Sequence, residues 1–369
     1  MYEVLNKFAL CETCLRRQGE DRRLSLVRPK GCFICEGLTS RTEGLSRKVL
    51  RSVRDYEFST FSIGIILPSG VQEREDEVRS ELKMRGRETI KSEIAREISR
   101  YASKATRKTI DRMRPDLTAL VDTGGQSVQL STRPLFVHGR YTKPRGVAQR
   151  REFCEQCHGR GCAVCGNTGY SRRPSVESIV GSKLGRLMRS TKMKFTWIGR
   201  EDVESRVFSP GGRPFIAELK SPRKRTPPRN LVLRTGRGLI RVSNLKALPG
   251  RPTKIPSFVF RTIARIESPQ RISREDLKRL GREMKNMSVQ FHTSKGKSVY
   301  KKIHSIHARS TGNKLIVDIK MDGGLPVKRL INGESVSPSI SEFLRTPLRC
   351  ERFDILKVWE VGSFDFGKI

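Results

Sequence analysis

Eight of the nine cysteines in this 369-residue chain fall into four C-x-x-C pairs: Cys11/Cys14, Cys32/Cys35, Cys154/Cys157 and Cys162/Cys165. Thiolates around a tetrahedral ion need a short bite between neighbours, which two intervening residues and a tight turn supply. Four thiolates close the coordination sphere and leave no open position. The expected ligand is therefore structural zinc, one or two ions, stapling segments too polar to make a core. The nearest grouping is 11/14/32/35 and 154/157/162/165, with exchange between the two sets as an alternative. Cys350 stands alone, outside any C-x-x-C pair, and reads as a small core residue.

A second feature with chemical potential is GREDVESRVFSPGGRPF, residues 199–215, which carries Glu201, Asp202 and Glu204. From Arg206 to Lys254 there are thirteen Lys or Arg and a single acid, Glu218. The tripeptide Arg-Glu-Asp recurs at 274–276, but there Ser273 precedes it and an amphipathic pattern follows. That copy is explained as a capped helix start. The copy at 200–202 lies between a strand-like KFTWI and a glycine- and proline-bearing loop, where capping does not apply. A surface ion pair with Arg200 or Arg206, a magnesium ligand and a catalytic carboxylate are the three readings. A bare carboxylate facing phosphates weakens binding unless it does chemistry. Metal-dependent nucleases need several dispersed acids, and few stand in strand-end contexts here, so a lone catalytic aspartate fits better.

The charge balance, 75 Lys+Arg against 38 Asp+Glu or a formal +37, repels itself in any folded domain and implies a polyanionic partner, nucleic acid first. No segment approaches the ~18–20 apolar residues of a membrane-spanning helix. The N-terminal apolar run is short and lacks a small-residue cleavage site, so no signal peptide is expected. With paired cysteines that read as metal ligands, the expected location is the cytoplasm.

The elements that must position these residues can be read from periodicity. FSTFSIGIILP alternates as a strand up to Pro68. A long helix is predicted over roughly 70–113, with Ile94, Ile98, Tyr101 and Ala105 on one face and Pro115 as its stop. DLTALVD, QSVQL and RPLFVHGRY read as strands, giving an α/β domain over 1–145. A basic linker with the second cysteine group occupies 146–172. Residues 173–369 read as α+β with a mainly antiparallel mixed sheet. They comprise a helix capped by Ser175, the strands KFTWI, PFIAEL, NLVLRT, GLIRVSNL, FVFRTIARI, KLIVDIKM and DILKVWEV, and a helix from about 273.

Taken together these motifs resemble the archaeal tRNA pseudouridine synthases of the Pus-ten family from end to end. CETCLRR…CFICEGL is similar to its zinc-bearing start. FSTFSIGIILP, IKSEIAREI and RPLFVHGRYTKPR are similar to its THUMP-containing RNA-binding domain, and FCEQCHGRGCAVCGNTG to its zinc insert. The most specific likeness is GREDVESRVFSPGGRPFIAELKSPRKR, which resembles the catalytic loop. The resemblance implies isomerisation of uridine in the tRNA T loop, at position 54, 55 or both, by base flipping, without a catalytic cofactor and as a monomer. The alternative is a non-catalytic tRNA-binding protein or RNA chaperone that keeps the fold.

By that resemblance Asp202 is the catalytic aspartate, with Arg200 just before it. Phe260, in FVFRTIA, holds the place of a base-stacking tyrosine, with Arg261 beside it. In GLPVKRL, Val327 would floor the base and Lys328 would pair with Asp202. Arg206, Arg213, Lys220, Arg223, Lys224 and Arg225 would hold phosphates, although Arg213 reads equally as a loop-stabilising arginine. Glu201 and Glu204 are supporting or solvated. The chain departs from the family pattern at Phe260, at DVESR in place of DVDVR, at Pro326 and in the shortened NGESVSPS.

Overall fold

The computed structural model describes residues 8–18, 27–81, 83, 88–208, 211–292 and 296–366. The chain divides into two compact units, Met1–Pro134 with Lys220–Arg225, and Leu135–Leu219 with Thr226–Ile369.

The first unit runs α1 (Glu12–Arg17), α2 (Thr42–Val53), β1 (Thr60–Ile66), α3 (Val71–Glu81), α4 (Ile90–Thr106), β2 (Thr109–Ile110), β3 (Leu117–Asp122) and β4 (Ser127–Thr132). Its sheet has the order β2-β1-β3-β4. The β1 strand is parallel to β2 and β3, and β4 closes an antiparallel edge. The single helix expected over 70–113 is instead two, with residues 82 and 84–87 of that span outside the described ones. Arg107 ends α4 in the left-handed conformation, φ +57, and Thr109 then pairs with β1. The buried stripe of α4 is Ile90, Ile94, Ile98 and Ala102, whereas Tyr101 and Ala105, expected on that face, are exposed. Arg17 and Glu75 form a buried ion pair, and Glu75 also accepts from the Ile90 amide at 3.0 Å, fixing the start of α4.

The second unit contains β5 (Leu135–Thr142), α5 (Val176–Leu187), β6 (Lys192–Trp197), β7 (Arg213–Lys220), β8 (Leu231–Thr235), β9 (Gly238–Leu248) and β10 (Ser257–Glu267). There follow α6 (Arg274–Glu283), β11 (Ser288–His292), β12 (Ser298–Thr311), β13 (Lys314–Asp322), α7 (Val327–Asn332), β14 (Val336–Ser337), α8 (Ile340–Leu344) and β15 (Arg349–Val361). The strand β5, expected in the N-terminal domain, lies here because it pairs antiparallel with β7 on one side and β9 on the other. It forms the middle of a five-stranded sheet, β6-β7-β5-β9-β8, beside a six-stranded one, β14-β11-β12-β13-β10-β15. In the six-stranded sheet every pairing is antiparallel.

Val207 stitches the two sheets together. Its backbone exchanges hydrogen bonds of 3.1 and 3.2 Å with Lys143, just past β5, while Ile355 of β15 donates to Arg206 at 2.9 Å and accepts from Phe208 at 3.0 Å. Helix α5 buries Val176, Val180 and Leu184 at four-residue steps, and Ser175 caps it as expected by accepting from the Ser178 amide. Ser273 likewise caps α6. Cys350 is buried in the core. Strands β11 and β12, hidden in the sequence by their Lys, His and Ser content, were not expected.

Candidate active site

The segment 199–208 leaves β6, crosses between the two sheets and turns its carboxylates in different directions. Its shape is set from below by Lys143, whose side chain is fully buried. The ammonium donates to the carbonyls of Val147, Asp202, Val203 and Ser205 at 2.6 to 3.2 Å. Burying an ammonium is costly unless its donors are used. Here they are spent on the chain that carries Asp202, and burial still pulls the lysine's pKa down.

Glu201 points inward. Its carboxylate is fully buried, 3.2 Å from Arg213 Nη1, 4.0 Å from Lys143 Nζ, and it accepts from Tyr141 Oη at 2.9 Å. Burial, with the Glu201 charge next in effect, pushes the Tyr141 phenol well above its ordinary value, so it stays a donor. Gln149 donates to the same phenol oxygen at 3.0 Å. Arg213 also donates to the Ile198 carbonyl at 3.0 Å and lays its guanidinium over the Phe260 ring, 5.0 Å from the centroid. Two glycines make room: a Cβ on Gly199 (φ +79) would meet Arg213 Nη2 at 2.1 Å, and one on Gly212 (φ +48) would meet the Tyr141 carbonyl at 2.7 Å.

Asp202 points the other way, with 41% of its side chain exposed and Oδ2 2.7 Å from Lys328 Nζ. The lysine stands in the first turn of α7, which Val327, Leu330 and Ile331 anchor in the core. Asp202 and Lys328 open onto a cavity of about 580 Å³, lined also by Arg200, Phe260, Val327, Phe291, Met321 and Asp322. Its lining combines apolar side chains, Phe260, Phe291, Met321 and Val327, with the Asp202–Lys328 ion pair and an exposed arginine, Arg200. That combination suits a planar base attached to a charged backbone.

Two family models match the chain, "Pus10 THUMP domain, archaeal" over residues 45–122 and "Pus10, C-terminal" over 136–248. The tRNA pseudouridine synthase Pus10 of Nitrosopumilus maritimus (strain SCM1) is 30% identical, covering 95% of this chain and 95% of that one. The chain belongs to the tRNA pseudouridine synthase Pus10 family. The Pus10 of Cenarchaeum symbiosum (strain A) is 32% identical over 95% of this chain and 90% of its own. A solved Cbf5-Nop10-Gar1 complex aligns over 48% of this chain and 44% of that one at TM-score 0.30 and 10% identity, too remote to add anything.

Asp202, Lys328, Phe260, Val327 and Arg200, the residues that the resemblance singles out, all line this one cavity. Other expected contacts lie elsewhere. Arg261 follows Phe260 on β10, so strand alternation turns it to the opposite sheet face, where it forms a bidentate pair with Asp318 at 2.7 and 3.0 Å. Arg213 also lines the Asp202 cavity, but it is buried and bound to Glu201 and the Ile198 carbonyl, which favours the loop-stabilising one of its two readings. Arg225 pairs with Asp116 at 3.3 Å and donates to the Arg133 carbonyl, Lys224 pairs with Glu57 at 3.2 Å, and Arg223 covers the Tyr56 ring at 5.2 Å. Lys224 and Arg225 are thus tied to acids of the first unit, while Arg223 stays exposed over its ring. Arg206 is exposed over Phe208, and Lys220 ends β7 exposed.

Asp322, at the site's edge and 2.8 Å from His304, was missed in the sequence. Its position at the end of a strand before Gly323-Gly324 was the available signal.

The cysteines group by nearness in sequence, without exchange between the two sets. Cys11, Cys14, Cys32 and Cys35 form one set and Cys154, Cys157, Cys162 and Cys165 the other, each with all four Sγ atoms within 4.8 Å of one another. Several Sγ pairs stand at 3.8 Å, the edge expected of a tetrahedron with metal–sulfur bonds of about 2.3 Å. In the second set the amides of Gly161, Cys162 and Gly169 point at sulfur at 3.2 to 3.3 Å, as donors stabilising thiolate charge would. Both sets fit a metal ion. Among the described residues no helix is long and apolar enough to cross a membrane.

Proposed function

We propose that this chain isomerises uridine to pseudouridine in the T loop of tRNA, at position 54, 55 or both. One observation carries the reading: in a member of the Pus10 family, a half-exposed aspartate paired at 2.7 Å with Lys328 borders a cavity with an aromatic wall. The reaction breaks the N1–C1′ bond, turns the uracil and joins C5 to C1′. C5 loses a proton and N1 gains one, so no cofactor or external energy enters. Asp202 is the nucleophile or base, and Lys328, paired with it at 2.7 Å, holds it aimed at the base. Phe260 stacks on the flipped base and repays part of the few kcal/mol spent on unstacking. Val327 lies beneath the base, and Arg200 and Arg206 hold adjoining phosphates.

Zinc is the metal we assign to the two four-cysteine sets. It supplies no chemistry to the reaction and holds polar segments in shape. The protein works in the cytoplasm, where such thiols stay reduced. The test is incubation with an unmodified tRNA transcript and mapping of pseudouridine by carbodiimide treatment and primer extension. Product at a T-loop uridine with wild type and none with Asp202→Asn is expected. Absence of product with wild type overturns the reading, and product with the variant removes Asp202 from its role.

A further inference from the structure

A groove of about 1430 Å³ lies between α6 and β12, and none of its lining residues borders the Asp202 cavity. Six bases line it: Arg271, Arg274, Lys278, Arg282, Lys285 and Arg309. All six are exposed, and Glu275 is the one acid in the lining. No ion pair joins any of the six to an acid among the described residues, although Asp276 and Arg279 on the adjoining face of α6 do pair, at 3.0 Å.

The spacing makes this more than a basic surface. Arg274, Lys278 and Arg282 recur every fourth residue, so they form one stripe with about 6 Å between successive side chains along the axis. Like charges at that spacing weaken a helix, and opposite charges would strengthen it. The sequence accepts two such repulsive steps in a ten-residue helix. Arg309 faces the stripe from β12. Beyond Lys302 that strand has no pairing with β11, leaving its edge beside α6 without a strand partner among the described residues. Gly281 lets helix and strand approach, because a Cβ there would stand 3.3 Å from the Ile306 carbonyl.

A concave row of unpaired cations with a free strand edge is built for a chain of phosphates. We infer that this groove binds the sugar-phosphate backbone of RNA at a site separate from the reacting uridine. The inference rests on the tRNA-modifying reading and adds a second holding point to it. Helix α6 leads directly into β11, whose Phe291 and His292 line the Asp202 cavity, so one length of chain joins the two sites.

The test uses the full chain and an unmodified tRNA transcript, with binding read by fluorescence anisotropy across a salt series. Each phosphate contact adds about 0.7 to 0.9 to the slope of log K against log salt. The variant Arg274→Ala/Lys278→Ala/Arg282→Ala is therefore expected to flatten that slope by about 2 to 3 and to weaken binding about tenfold or more. Alanine favours helix and removes the repulsive steps, so the melting temperature should not fall. Arg274→Lys/Arg282→Lys should keep the wild-type slope. Turnover at saturating RNA should be unchanged, because the groove touches no reacting atom.

A folded triple variant that binds tRNA as wild type does overturns the inference, even if it loses affinity for phosphatidylserine vesicles. If wild type forms pseudouridine while the triple variant binds normally, only the groove assignment fails. If wild type forms none yet the slope flattens in the variant, the groove stands and the proposed activity falls.

Discussion

Lys328 Nζ lies 2.7 Å from Asp202 Oδ2, joining the first turn of α7 to a loop that crosses between two sheets. Both side chains are nearly half exposed, so the pair adds little to stability. Its value is in aim and charge. Asp202→Asn should lower single-turnover pseudouridine formation by about 10⁴-fold, the upper range for a positioned acid–base group. Lys328→Met should cost about 10²-fold and Lys328→Arg less, with melting temperatures near wild type for all three. A variant of Asp202 that stays active would remove the carboxylate from the reaction.

The buried carboxylate next door makes the opposite prediction. Glu201 faces Arg213 and Lys143 with no exposure, so Glu201→Gln leaves two buried cations short of an anion. Breaking a buried pair from one side costs about 3–5 kcal/mol, read as a lower urea midpoint. Glu201→Gln/Arg213→Met should cost less than the sum of the two single changes. Gly199→Ala should act through the same contact, since its Cβ would occupy the place of Arg213 Nη2.

His138 supplies a pH dependence. It is buried at 4% exposure, packs edge-on against Phe364 and has no hydrogen-bond partner on either ring nitrogen among the described residues. Burial first, then the nearby charges of Lys246 and Arg140, holds its pKa down at about 4 against an ordinary 6.5. Between those values the unfolded chain binds a proton that the folded chain refuses. Stability therefore falls as pH drops from about 6.5 to about 4, by up to about 3 kcal/mol. His138→Phe should remove that part of the slope in urea midpoints measured across the window.

The two cysteine sets predict about two zinc ions per chain by elemental analysis, one for each set. Less than one would contradict the assignment. Cys157→Ser should release about one ion and increase amide exchange around 153–170 while leaving the thermal transition of the rest of the second unit largely in place. Cys14→Ser should do more damage, because Cys14, Leu15 and Ile34 belong to the core of the first unit.

Much of the site is legible in the sequence. C-x-x-C spacing is a local geometric requirement, so each pair could be read from the sequence, while which pairs combine into a four-thiolate set was decided by the fold. Caps at Ser175 and Ser273 and the alternation of β10 are equally local, governed by nearest backbone neighbours. The likeness of the 199–215 segment to a catalytic loop, together with the GLPVKRL match, brought Asp202 and Lys328 together in advance. The sequence could not show which bases face solvent. Arg223, Lys224 and Arg225 look like a phosphate cradle in one dimension, but distant Glu57 and Asp116 capture two of them.

What the amino-acid order determined by itself was the repertoire: four C-x-x-C pairs, an acid cluster at the edge of the most basic stretch, and the periodicities of most strands and helices. The tertiary structure decided the partners. Glu201 and Asp202 are adjacent carboxylates of the same charge, yet one is sealed against Arg213 and Tyr141 and the other opens to the cavity beside Lys328. The reason is electrostatic. A buried carboxylate persists only where cations and donors from other elements converge, and that convergence exists only once β5, β7 and the crossing loop have packed.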